Sequence, residues 1–432
     1  MDLRESDVSI AAAVDALVRR CVRPDMGDEL HDVVQHRIFD ALVAASIGLR
    51  IADSEPLSRL NYEGPEGRIR RLVAALRATE IDDIYLPGCV TAGSVIVPTA
   101  LIMAGDLAPS SCIVVEAIAA GYEAMTGFAA MIDGPGILYR GFWPTLAAAP
   151  FGAAMTTARL LGLDARATRS ALALAVGRTM AAAQRSMPRW LQLGHAAVDG
   201  VLAAQAAAAG FQASVDVIGQ WAQALGLSLD PLKLAPGSLP RIGAVDCKTY
   251  PTSRQGLAAI EAFRQLHGGE AINPADRIEI ALPAAYRAMV GATSLPTDRL
   301  SSLLSTPYQM ALVVNAPEHL FDVSRSELPL NANIVAFLAR VSVREDAELS
   351  AAYPAVWGGA VKITRPDGSV RSMTSLEPEG SARRPLNWDQ LREKATALAE
   401  ANRLGCDGFV PHYKALRRDE AAPALLELVE ST

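Results

Sequence analysis

The sequence predicts a mostly α protein, with an all-helical domain built from the N-terminal and C-terminal segments and a smaller α/β lid domain inserted between them. Three observations predict it. At 432 residues the chain is too long for a single hydrophobic core, so it divides into domains. Up to about Leu234 the apolar residues recur at helical spacing, and only beyond it does period-two alternation begin. Hydrophobic residues make up 50% of the chain but aromatics only 5%, so the core is largely Ala, Leu and Val. Such small side chains let helices approach one another closely.

The elements follow in chain order. From Asp28 onward Leu30, Val33, Val34, Ile38 and Leu42 form one apolar stripe. Gly64-Pro65-Glu66 places a proline near a first turn, and Ile69, Leu72, Val73 and Leu76 continue as a helix. A long apolar helix is expected from Ser110 to Met131, carrying Glu116, Tyr122 and Glu123. The stretches Thr145 to Leu161, Ala165 to Ala183 and Val198 to Phe211 are apolar nearly all round, the mark of helices buried on several sides. Between the first two of these, Gly162 stops one helix and Asp164 caps the next. Ala235 to Pro240 is a cluster of breakers. Beyond it, Arg277–Leu282 and Arg340–Arg344 alternate as strands, and Gly358 to Met373 reads as a hairpin turning at Pro366-Asp367-Gly368. Helical runs at Gly256–Leu266 and Leu300–Val314 separate these strands, and Trp388–Ala401 is helical again. The domains are therefore drawn as 1–249 with 385–432, and 250–384.

Composition excludes several classes of function. Mean hydropathy of +0.19 and the apolar half of the chain rule out a disordered protein. The 40 basic against 47 acidic residues give a net charge of −7, with no basic stripe of the kind nucleic acid requires. Apolar stretches such as Val95–Gly105 and Thr145–Thr157 fall short of the ~18 residues a membrane span needs, so no membrane partner is expected. The acidic, polar start MDLRESDVSI is not a signal peptide. Five scattered cysteines suggest reduced thiols and a cytoplasmic location. No close-spaced histidine pair suggests a metal, no phosphate-binding glycine loop suggests a nucleotide, and no G-x-S-x-G elbow suggests a hydrolase. The reading therefore calls for no cofactor and no metal.

A set of short motifs in fixed order resembles the MmgE/PrpD family, which includes 2-methylcitrate dehydratase, cis-aconitate decarboxylase and iminodisuccinate epimerase. They are Glu80-Ile-Asp82-Asp83 with Gly93-Ser94, then Gly121-Tyr-Glu123, Gly141-Phe-Trp-Pro-Thr145, Phe151-Gly-Ala-Ala154 and Leu161-Gly-Leu163. Gly194-His-Ala-Ala197, Lys248-Thr-Tyr-Pro251 and Ser305-Thr-Pro-Tyr308 complete the series. The resemblance covers nearly the whole chain. It implies a discontinuous helical domain with an α/β lid, an active site between them and a homodimer formed through the helical domain. Helices apolar all round suit such an interface independently.

The departures from the family pattern bear on chemistry. Histidines typical of the family are replaced at Arg77, Tyr85, Thr91 and Trp143. The Lys and His of a Lys-x-x-His-x-Gly run are Arg189 and Gln192, Ser253 stands where Cys or His is common, and Leu257 replaces a further His. Removal of water, CO2 or a proton beside a carboxylate needs a cationic cradle and an acid–base pair. Lys248, Arg189 and Arg254 suit the cradle, since guanidinium grips carboxylate bidentately. Tyr85 and Tyr308 can donate a proton, and Glu80, Asp82 or Asp83 can accept one. Thr91, Trp143, Gln192 and Ser253 are expected to line the substrate. Arg189 is also expected to stack on its neighbour Trp190, and Asp82 and Asp83 equally suit a cap or solvated turn.

The expectation is a cofactor-independent, dehydratase-like lyase acting on a hydroxy- or polycarboxylic acid. The alternatives are an isomerase, epimerase or decarboxylase on a related carboxylate, and a non-catalytic homologue serving as a binding partner.

Overall fold

A computed structural model describes residues 8–22, 27–60, 62–107, 109–176, 187–269, 272–325 and 327–404. The chain resolves into two compact units. The first holds residues 1–78 and 82–245; the second holds 79–81 and 246–406.

The first unit is helical throughout. Its main helices are Ile10–Val22, Asp28–Gly48, Gly64–Ala78, Gly93–Leu107, Ser111–Met131, Pro144–Leu160, Ala165–Ala175 and Met187–Ala208. Asp164 caps as expected, its side chain accepting from the Ala167 N–H at 2.8 Å, and Gly162 takes φ +65°. Small residues set the helix spacing. A Cβ on Gly121 would lie 2.0 Å from Thr156 Oγ1, and one on Gly200 would lie 2.3 Å from the Pro150 carbonyl. Any side chain at either position would force the Pro144–Leu160 helix away from its neighbours. The helix expected over 165–183 is described only to Ala175, because 177–186 lie outside the described residues.

One expectation about length is corrected. The Ser111–Met131 helix, 21 residues with mean hydropathy 1.3, is long and apolar enough to cross a membrane, and 78% of that window is buried within the protein. Glu116 and Glu123 interrupt its run of apolar residues. In the fold they are neutralised laterally, Glu116 by Arg159 and Glu123 by Arg241.

The second unit is built on a four-stranded sheet: β1 (Arg277–Leu282), β2 (Val341–Glu345), β3 (Gly359–Thr364) and β4 (Val370–Ser375), in the order β2-β1-β3-β4. β1 and β2 run parallel, with Ile278 opposite Val341, while β1/β3 and β3/β4 are antiparallel. The predicted hairpin is present. Gly368, at φ +85°, completes its turn, and Arg365 N donates to Ser369 O at 2.9 Å. The Arg254–His267 helix packs Leu257, Ile260 and Phe263 into a core with Ile278, Ile280, Val361 and Ile363. The run expected over 300–314 is two helices, Arg299–Leu304 and Thr306–Asn315. Ser305 separates them, in extended conformation with its Oγ accepting from the Tyr308 N–H at 3.1 Å, so the second helix begins with its own cap.

The domain boundary also needs correction. The sequence places Trp388–Ala401 with the helical domain, but it belongs to the second unit, whose main segment begins at Asp246 instead of residue 250. The reason is a set of specific ties. Asn402 Oδ1 accepts from Val323 N at 2.9 Å, its Nδ2 donates to Phe321 O at 3.0 Å, and Gln390 Nε2 donates to Glu379 Oε1 at 2.7 Å. Buried Lys394 also reaches Cys247 Sγ at 3.4 Å. The remainder of the C-terminal segment, 405–432, lies outside the described residues.

Candidate functional site

The acidic run 80–83 leaves the end of the Gly64–Ala78 helix, and each of its carboxylates takes a different partner. All three are buried, at 1%, 2% and 4% exposure for Glu80, Asp82 and Asp83, so the solvated-turn alternative is excluded.

Glu80 belongs with the second unit and stands in the left-handed region at φ +57°. A non-glycine residue holds that conformation only where its surroundings require it. Here the backbone carbonyl accepts from Lys248 Nζ at 3.1 Å, and the carboxylate Oε2 lies 3.7 Å from the same ammonium. Lys248 is itself only 2% exposed, so its charge is matched locally by Glu80.

In the first unit Asp82 faces Arg77, with contacts of 3.4 Å from both Nη1 and Nε. Arg77 in turn lies 5.6 Å from the centre of the Trp143 ring. Arg189 stacks on that ring at 3.7 Å. The expected partner Trp190 is therefore replaced by Trp143. Both arginines and the indole are buried, which strengthens a cation–π contact that water would otherwise weaken. The sequence marks Arg77 only as a replaced histidine and gives no sign of its place in this stack. Gln192, one turn along the helix from Arg189, is exposed.

Asp83 does structural work. Its Oδ1 accepts from Gly93 N at 2.9 Å, capping the Gly93–Leu107 helix, and its Oδ2 accepts from the Tyr122 hydroxyl at 2.6 Å. Burial raises its pKa to about 6, against the opposing influence of Arg37, the Tyr122 hydroxyl and the Gly93 N–H. Burial, followed by the Asp83 charge, pushes the Tyr122 phenol well above its ordinary range. The sequence singles out Tyr122 within Gly121-Tyr-Glu123 but gives no sign of its pairing with Asp83, 39 positions away. Thr91 joins the same helix start, its Oγ1 3.2 Å from Ser94 Oγ and its N–H donating to Thr145 Oγ1 at 3.3 Å. The Tyr85 phenol is raised by burial and lies under the influence of Arg241 and Glu123, the latter two forming an ion pair.

The other second-unit residues are held by protein groups. Arg254 Nε donates to Asp246 Oδ2 at 2.6 Å and its Nη1 to the Trp357 carbonyl at 3.2 Å. Ser253 Oγ donates to Gln255 Oε1 at 2.6 Å. The Tyr308 hydroxyl donates to Pro329 O at 3.1 Å, and burial raises its pKa to about 12 despite the Arg325 charge. Among the described residues no three His, Cys, Asp or Glu side chains gather as a metal site.

Two family models match this chain in the order the motifs suggested. The MmgE/PrpD N-terminal domain matches residues 72–225, and the MmgE/PrpD C-terminal domain matches 250–405. The chain belongs to the MmgE/PrpD family. Members of this family are typically dehydratases or related enzymes acting on carboxylates. The C-terminal match ends at 405, so it takes in the Trp388–Ala401 helix, in line with that helix's ties to the second unit. No curated protein matches the chain.

Proposed function

We propose that this MmgE/PrpD protein is a dehydratase-like lyase acting on a hydroxy- or polycarboxylic acid. The observation that carries the reading is the buried Lys248–Glu80 pair, with Nζ 3.7 Å from the carboxylate. Such a pair holds an acid and a base ready for one elimination. Glu80 takes the proton from the carbon beside the substrate carboxylate, and Lys248 gives one to the departing hydroxyl. The C–H and C–O bonds break, a C=C bond forms and water leaves, with no change in oxidation level. The proton then returns from Glu80 to Lys248. Tyr308 stays protonated near neutral pH and acts only as a donor. By their contacts, Arg254 supports the framework of the second unit, and Asp83 and Thr91 support that of the first.

The test is proton NMR of candidate hydroxy- and polycarboxylic acids incubated with the protein in deuterated water. Appearance of an unsaturated acid supports the lyase. Deuterium exchange without an olefin would replace the reading with an isomerase or epimerase, and release of CO2 would replace it with a decarboxylase. Lys248→Met is expected to lower turnover by a factor of about 100 or more. Undiminished turnover in a folded Lys248→Met protein would overturn the proposed roles.

A further inference from the structure

The second unit contains a cavity that the proposed chemistry does not use. It measures about 560 Å³ and opens beside a second cavity of about 250 Å³; Thr249, Tyr250, Arg264, Phe321 and Glu379 line both. The second cavity is bordered by the Trp388–Ala401 helix through residues such as Lys394 and Ala397, so it exists because that helix belongs to this unit. Thr249 and Tyr250 follow Lys248 directly, yet Lys248 turns to Glu80 while its two neighbours line the cavity. The Lys248-Thr-Tyr-Pro motif thus has two faces.

Arg264 is exposed and lies over the Tyr250 ring at 5.1 Å, and among the described residues its guanidinium makes no ion pair and no hydrogen bond. Glu379 is near enough to act on the Arg264 charge, but the two do not form an ion pair. The other acid of the larger cavity, Glu261, is already engaged by Arg384 at 2.8 Å, by Gln265 at 2.7 Å and by the Glu379 backbone N–H at 2.5 Å. Among the described residues the Glu379 carboxylate accepts only from the Gln390 amide, on Oε1. One cation and one anion therefore line the same cavity without forming an ion pair. Beside them Tyr250, Val313, Leu320 and Phe321 form an apolar wall.

A simple anion would meet Glu379 and a simple cation would meet Arg264, and each would be repelled. A ligand bearing both charges on neighbouring atoms answers both. We propose that this cavity is a binding site for a zwitterionic α-amino acid with an apolar side chain. Its carboxylate goes to Arg264, its ammonium to Glu379, and its side chain lies against Phe321 and Leu320. The backbone bond from Cys247 N to Gly380 O, 2.7 Å, ties the Glu379 segment to the Lys248 segment. A ligand held at both ends therefore bears on the backbone around Lys248, as an effector would. The inference is independent of the lyase reading.

The test uses L-phenylalanine as probe, titrated calorimetrically into the full chain beside 3-phenylpropionate, which lacks the ammonium, and 2-phenylethylamine, which lacks the carboxylate. Saturable binding of one phenylalanine per chain is expected, with both analogues weaker by roughly tenfold or more. Arg264→Ala removes binding of phenylalanine and phenylpropionate. Glu379→Gln weakens phenylalanine but not phenylpropionate, and melting curves confirm that both variants are folded. Analogues binding as tightly as phenylalanine, folded variants binding unchanged, or no binding up to about 10 mM probe would each overturn the proposal.

Discussion

Asp83→Asn isolates one buried charge and predicts a stability difference that changes with pH. The wild-type carboxylate is 4% exposed and accepts from Gly93 N–H at 2.9 Å and from Tyr122 Oη at 2.6 Å. Burial moves its pKa from 3.8 to about 6. A shift of about 2 units at ~1.4 kcal/mol each is roughly 3 kcal/mol. The folded value lies above the unfolded one, so the folded state holds the proton more tightly. The group's contribution to stability is fully present below about pH 4 and is lost as the pH rises through about 6. Asparagine has the same shape and no charge. Its oxygen keeps the Gly93 N–H, and the Tyr122 hydroxyl rotates to accept from its amide. Urea unfolding of both proteins, followed by tryptophan fluorescence at pH 4 and pH 7, measures the difference while other titrating groups cancel. Between those pH values the mutant should gain about 2 kcal/mol relative to wild type, since at pH 4 the unfolded carboxylate is already more than half ionised. A difference that stays constant with pH, or moves the other way, would refute the argument that burial dominates at Asp83.

Three further outcomes are expected. Arg254→Met strands the buried Asp246 carboxylate and should cost about 3 kcal/mol or more in thermal or urea unfolding, while Arg254→Met with Asp246→Leu should recover most of it. Gly93→Ala places a Cβ 2.6 Å from Tyr122 Oη and 2.8 Å from Asp83 Oδ2, for a loss of about 1–3 kcal/mol. In the background of Tyr122→Phe, which lacks that oxygen, the same alanine should cost measurably less, and a double-mutant cycle reads the coupling. Light scattering should give twice the 45.7 kDa chain mass if the protein is the expected homodimer, and the single mass would reject it.

Much of the fold was legible because it depends on local rules. Asp164 caps because the residue, its spacing and Gly162 sit together in the chain, and Pro366-Asp367-Gly368 turns because glycine supplies the positive φ. The attachment of Trp388–Ala401 was not legible. Helical periodicity shows which face is buried but not what covers it, and the contacts that decide the matter, such as Asn402 with Val323, span 79 positions. The Arg189 stack shows the same limit at short range. Successive residues on a helix point in different directions, so Trp190 is a poor partner for its own neighbour, and a tryptophan from another element takes the place.

The acidic run carries the argument from fold to chemistry. Three carboxylates within four residues cannot be buried together unless each has its own compensation, because an isolated buried charge is costly. The sequence displayed the carboxylates but not the compensation, which comes from Lys248 for Glu80, Arg77 for Asp82, and a phenol with a helix N–H for Asp83. Those partners decide which group is available for catalysis. Asp83 is committed to a helix start, and Asp82 faces a guanidinium whose charge, unlike that of an imidazole, does not switch near neutral pH. Glu80 faces an ammonium, a group able to give up a proton and take it back. The acid–base work proposed for this protein therefore falls to Glu80 and Lys248.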